Sequence, residues 1–200
     1  MTEATMTSAA GTSLAALVTS SEVSREALAA HLDALSPTER VAECRALTGR
    51  QMKRLYDLAA GSTLLPEDFV STSLAPGVTV RYAGKNSLPL FAIFEKHFAR
   101  HEGEVVGMNL HAMTWATGPG YFVLHPAPER PGEVLFDYNQ VPASAPPGWP
   151  VPRGNAGGIS RFVFKDLHDF NRKVSRDVII GSAWRRDRPM NSYYIIARMP

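Results

Sequence analysis

Six histidines, a single cysteine and scattered carboxylates are the groups with which this 200-residue chain could do chemistry. His97 and His101 stand four apart, a spacing that on a helix puts both rings on one face and could clamp a metal. Glu102 and Glu104 are the nearest carboxylates and fall in a turn, so two solvated histidines and no metal are expected. Cys44 lies among helix-forming residues, spaced to face Val41 and Leu47, and reads as a small buried apolar side chain rather than a nucleophile. The chain has no G-x-S-x-G elbow, no phosphate loop, no G-x-G-x-x-G after a strand and no H-E-x-x-H. Gly118-Pro119-Gly120 cannot cradle a phosphate, because proline removes an N–H that the cradle needs. No cofactor is expected, and no motif names a reaction.

The strand-like segments carry more chemistry. Along 105–115 one face holds Gly107, Asn109, His111 and Met113, and the other Met108, Leu110, Ala112 and Thr114. Along 134–140 Val134, Phe136 and Tyr138 alternate with Leu135, Asp137 and Asn139. The apolar faces could point into a filled core with the mixed faces in water. Alternatively, the mixed faces line a cavity, with a few polar groups among aromatics, as small-ligand sites do. The candidate ligand-binding residues are then Asn109, His111, Met113, Tyr121, Phe122, Asp137 and Asn139. The preferred function is binding of a small, largely apolar molecule inside a barrel. The alternative is a cofactor-independent isomerase, cyclase or lyase acting on a hydrophobic substrate. In that case His111 and Asp137 form the proton-transfer pair, since imidazole titrates near neutrality and a carboxylate can hold its tautomer. A third class is a protein-interaction module, suggested by apolar helix stripes in the first third of the chain.

These residues need elements to position them. Residues 1–20, rich in Thr, Ser and Ala, read as a mobile tail. Residues 21–61 read as a helical lead-in of two or three short helices. A first helix over 21–35 presents Leu28, Leu32 and Leu35, and Ser36-Pro37-Thr38-Glu39 forms a capping box with proline at the first helical position. Thr48-Gly49-Arg50-Gln51 repeats that logic before a helix presenting Met52, Leu55, Tyr56 and Ala59 and stopping at Gly61. Residues 62–200 read as an antiparallel β-barrel domain. Strands are expected at 78–82, 105–114, 121–125, 133–140, 160–164, 178–184 and 192–199, with short turns favouring antiparallel neighbours. The spacing of Phe91, Phe94 and Phe98 predicts a helix over 89–100, and Leu167, Phe170 and Val174 predict another over 166–175. The Pro/Gly-rich stretch 141–158 reads as a long ordered loop, long enough to lid a barrel mouth.

Three blocks, Gly118-Pro119-Gly120-Tyr121-Phe122-Val123, Leu135-Phe136-Asp137-Tyr138-Asn139 and the run from Val174 to Trp184, resemble a group of bacterial lipocalin-like proteins. The resemblance covers roughly 78–199. It implies a calycin-type barrel with an internal pocket and no specific ligand. Together these readings give an α+β fold class: short N-terminal helices packed on an antiparallel, lipocalin-like barrel or half-barrel.

Composition narrows the partners. A formal charge of +2, with only two short basic clusters at 50–54 and 185–188, predicts no nucleic-acid partner. No apolar run approaches the roughly 18 residues that span a bilayer, and Leu14–Val18 follows no positive n-region, so neither membrane nor export is expected. A lone cysteine cannot form an internal disulfide, and a cytoplasmic location is the expectation. Oligomeric state is left open.

Overall fold

The computed structural model describes residues 12–88, 92–114, 118–154 and 164–200. Four short helices come first: α1 (Leu14–Thr19), α2 (Arg25–Ala34), α3 (Pro37–Ala46) and α4 (Gly49–Leu58). Side chains of Ser13, Ser24, Ser36 and Thr48 cap them by accepting backbone N–H bonds. The expected capping boxes form at Ser36 with Glu39 and at Thr48 with Gln51. One correction falls on the tail: Leu14–Thr19 is helical, because Leu14 and Val18 are fully buried and anchor it. Residues 1–11 of that expected tail lie outside the described residues.

Eight antiparallel strands follow: β1 (Val80–Asn86), β2 (Ile93–His101), β3 (Glu104–His111), β4 (Gly120–Pro126), β5 (Val134–Asp137), β6 (Leu167–Lys173), β7 (Val178–Arg185) and β8 (Arg188–Arg198). Each pairs with the next, and β8 returns to β1, so the sheet closes and leaves no edge unpaired. The fold is α+β, with N-terminal helices on a closed eight-stranded antiparallel barrel.

Two expected helices are strands. Ile93–His101 is β2, with Phe94, Lys96 and Phe98 facing the barrel interior at period two and Glu95 and His97 facing out. Leu167–Lys173 is β6, with Asp169 and Asn171 inside and Phe170 outside against Trp184. In both, polar residues at interior positions hide the alternation that would mark a strand. Residues 89–91 of the first, and 160–163 of the expected strand at 160–164, lie outside the described residues.

Two cores hold the molecule. The first lies inside the barrel. A single turn of 3-10 helix (Pro66–Asp68) leads Phe69 into one end, where its ring meets Phe98 at 4.8 Å, Phe136 at 5.2 Å and Tyr82 at 6.2 Å. Arg198 closes that end by donating to the Phe69 carbonyl (3.1 Å) and to Tyr82 Oη (3.2 Å). Phe122 and Phe136 stack at 4.7 Å above this plug. Interior glycines admit the rings: a Cβ on Gly107 would stand 2.3 Å from the Phe122 ring, and one on Gly181 2.3 Å from Tyr194.

The second core lies outside. Leu28, Leu32, Leu47, Met52 and Leu55 of the helical segment pack on Val178, Ile180, Ile195 and Ala197 of β7 and β8. Arg40, 4% exposed, fastens this layer by donating to the carbonyls of Leu32 and Leu35 and pairing with Asp177 at 3.0 Å. Arg40→Met should therefore lower unfolding free energy by about 2–3 kcal/mol, as for buried charged hydrogen bonds. Arg176→Met, at a 70%-exposed side chain, should lie within about 0.5 kcal/mol of the parent. Urea unfolding of both variants checks the contrast.

Candidate functional site

Among the described residues, the barrel is filled at the Phe69 end and open at the other. There a cavity of about 310 Å³ is lined by Phe94, Phe164, Leu167, Ala183, Asn109 and His111, with Lys96, Asp169, Tyr138 and Tyr194 as its polar base. Filled core and cavity, posed as alternatives by the sequence, thus divide one barrel between them. Leu88 and Met190, 43% and 40% exposed, line the mouth. Exposed Ile93 and Met113 stand at the same end of the barrel.

Lys96 is the central group of the base. Its Nζ donates to Tyr138 Oη at 2.5 Å and pairs with Asp169 Oδ2 at 3.5 Å, and Tyr138 Oη donates to the same Asp169 oxygen at 3.3 Å. Five aromatic rings surround the nitrogen, the closest being Phe122 and Tyr194 at 4.8 Å. Phe122 and Phe136 do not line the cavity, so the lysine head lies between the open space and the aromatic plug. Burial pushes the Lys96 ammonium down to about 8, against the pull of Asp169. Burial also raises the Asp169 carboxyl, although Lys96, Tyr194 and Tyr138 oppose it. Burial drives both phenols well up, so Tyr138 and Tyr194 remain neutral donors. Tyr194 Oη donates to Asn171 Oδ1 at 2.6 Å, and Asn171 Nδ2 donates to the carbonyls of Val134 and Asp169, which fixes β6 beneath the site.

The expected site residues divide. Asn109 and His111, on the mixed face of β3, line the cavity. Burial lowers the His111 pKa, and its Nδ1 accepts from the Met113 N–H at 3.2 Å. Met113 is 43% exposed at the mouth and does not line the cavity. Phe122 faces inward but belongs to the plug. Tyr121 faces outward, donating to the Pro150 carbonyl with its ring 6.1 Å from Trp149.

Asp137 also faces outward, because Phe136 and Tyr138 take the interior. It pairs with His168 at 3.3 Å and accepts the Asn139 N–H, while Asn139 bonds His168 and the Asp166 N–H. Asp137 and Asn139 therefore brace the β5–β6 connection, and the structure does not bring Asp137 to His111.

The loop at 141–154 lies on the outer wall, with Trp149 Nε1 donating to Thr79 Oγ1, and does not line the cavity; 155–158 lie outside the described residues. His97 and His101, on one outer face of β2, are roughly 13 Å apart at strand rise, too far to share an ion. They bond Glu95 and Ser144 instead. Among the described residues no group of three or more His, Cys, Asp or Glu side chains could hold a metal, and no helix is long and apolar enough to cross a membrane.

Lys96, Asp169, Tyr138 and Tyr194 were not singled out from the sequence. The available signal was Phe94-x-Lys96-x-Phe98, which places a lysine between two buried rings once the segment is known to be a strand.

Fold and site together define a closed eight-stranded antiparallel barrel with a cavity open at one end and a buried charged base. No protein-family model matches the chain, and no curated relative or solved structure similar to it is found.

Proposed function

We propose that this protein binds a small, largely apolar molecule in the barrel cavity, with one polar head of the molecule directed at Lys96, Asp169 and the two tyrosines. The observation that carries this reading is the division of the barrel. One half is packed solid with aromatic rings, while the other keeps open space above a hydrogen-bonded ionic base. At about 310 Å³ the space stands at the lower end of the roughly 300–1,000 Å³ range of ligand pockets, which favours a compact molecule over a long lipid. The apolar mouth at Leu88 and Met190 suits entry of such a molecule, and the lipocalin-like resemblance points the same way.

The helical apolar stripes pack against the barrel, so they do not support the interaction-module alternative. The proton-pair alternative loses its geometry with Asp137 on the outer wall.

Native mass spectrometry of freshly purified protein should show one retained small molecule. Ala183→Phe projects a ring into existing space and should leave the fold intact while removing that molecule, with at least about tenfold weaker rebinding. Equal retention by parent and variant would contradict binding in the cavity.

A further inference from the structure

Lys96 occupies a position that stability alone does not explain. Its side chain is 3% exposed, yet it lines a cavity that opens to solvent. An ammonium offers three N–H donors, and among the described residues two oxygens lie within reach, on Tyr138 and Asp169. A buried ion pair is a weak source of stability, since well-packed apolar side chains of similar volume do as well or better. This barrel uses such side chains throughout its other half. The pair is kept at the interior point that a small molecule can reach. Desolvated in an apolar pocket, lysine becomes a neutral amine nucleophile toward carbonyl carbon.

We propose that Lys96 forms a covalent imine with a small, largely apolar aldehyde or ketone held in the cavity, with Asp169 and Tyr138 carrying the protons. The inference rests on the cavity-binding reading above and adds the substrate class. In the first step a proton passes from the Lys96 ammonium to the Asp169 carboxylate, directly or through Tyr138 Oη, so the pair keeps its total charge and proton count. Burial favours this direction at both groups. The amine lone pair then attacks the carbonyl carbon. A C–N bond forms, the C=O π pair moves to oxygen, and that oxygen takes the Asp169 proton. Asp169 removes one proton from the nitrogen and delivers it to the hydroxyl. The C–O bond breaks, water leaves, and the resulting iminium is paired with the Asp169 carboxylate. Amine, carboxylic acid and carbonyl compound become iminium, carboxylate and one water, and no oxidant or reductant is needed.

Hydrocinnamaldehyde with sodium cyanoborohydride traps such an imine as a secondary amine, which peptide mass mapping locates. Hydrocinnamyl alcohol has the same skeleton without the carbonyl, and its binding is measured separately by calorimetry on the intact protein. The expected result is saturable binding of the alcohol, with Lys96 labelled about tenfold or more faster than exposed Lys53 because the site positions the carbonyl. The alcohol should also protect Lys96 and leave Lys53 labelling unchanged. If the alcohol binds and protects the cavity but Lys96 labels no faster than Lys53, the imine is overturned and the binding reading survives. If the alcohol does not bind, the cavity reading fails for this class and the imine fails with it.

Discussion

A chain beginning at Ser62 should fail to give a soluble, cooperatively unfolding barrel. Removing the helices uncovers Val178, Ile180, Ile195 and Ala197, which form one continuous apolar face on β7 and β8. It also removes the buried side chains of Leu28, Leu32, Leu47, Met52 and Leu55. Each is worth roughly 1.5–3 kcal/mol when buried, against a total stability of about 5–15 kcal/mol for a typical domain. Even with compact unfolded states reducing those values, the loss is comparable to the whole. Arg40 goes too, leaving Asp177 without its most buried partner. Circular dichroism and thermal unfolding of the shortened chain decide the matter. A soluble product melting at the parent temperature would show that the barrel stands without its helical layer.

Asp169→Leu should lower stability by about 3–5 kcal/mol, because it strands a buried lysine without its counter-charge. Adding Lys96→Met should restore most of the loss, and the double variant should approach or exceed the parent. The non-additivity identifies the pair as a unit. Its pH dependence has a definite sign. Lys96 sits at about 8 when folded and near its ordinary 10.5 when unfolded, so between those values the unfolded chain holds the extra proton. Stability therefore rises with pH across that window. Asp169 is raised on folding, so stability falls as pH rises from its ordinary 3.8 through the folded value. Both groups thus make the charged pair a cost near neutrality. Urea midpoints should climb between pH 8 and about 9.5, before tyrosine ionisation in the unfolded chain near pH 10 reverses the trend. The climb should be absent from the double variant. A parent protein with a flat profile there would place Lys96 in a far more solvated setting.

The helices were legible because their caps are local: Ser36 with Glu39 and Thr48 with Gln51 need only neighbours three residues away. Six of the eight strands were visible from alternation or from turn residues such as Gly118 and Gly132, both with positive φ. β2 and β6 were hidden. Their interior positions carry Lys96, Asp169 and Asn171, and a polar residue where an apolar one is expected erases the period of two. The strands that escaped the pattern are the ones that build the base of the cavity, because the site itself breaks the rule by which strands are recognised. Asn109 and His111 line the cavity, since β3 follows the rule and its mixed face turns inward. Asp137 was misplaced because β5 has an apolar face that turns to the same interior, so mixed and apolar faces do not share one orientation around the barrel. Closure of the sheet fixes that orientation through β8 and β1, the strands furthest apart in sequence.

Titrating isotope-labelled protein with hydrocinnamyl alcohol, followed by amide and side-chain NMR, tests occupation of the cavity most directly. Saturable shifts should appear at Asn86, Lys96, Asn109, His111, Ser192 and Tyr194, which line the cavity, and not at outward-facing Asp137, His97 or Tyr121. Saturable shifts confined to the outer wall, or none at the cavity residues at millimolar probe, would contradict a binding site inside the barrel.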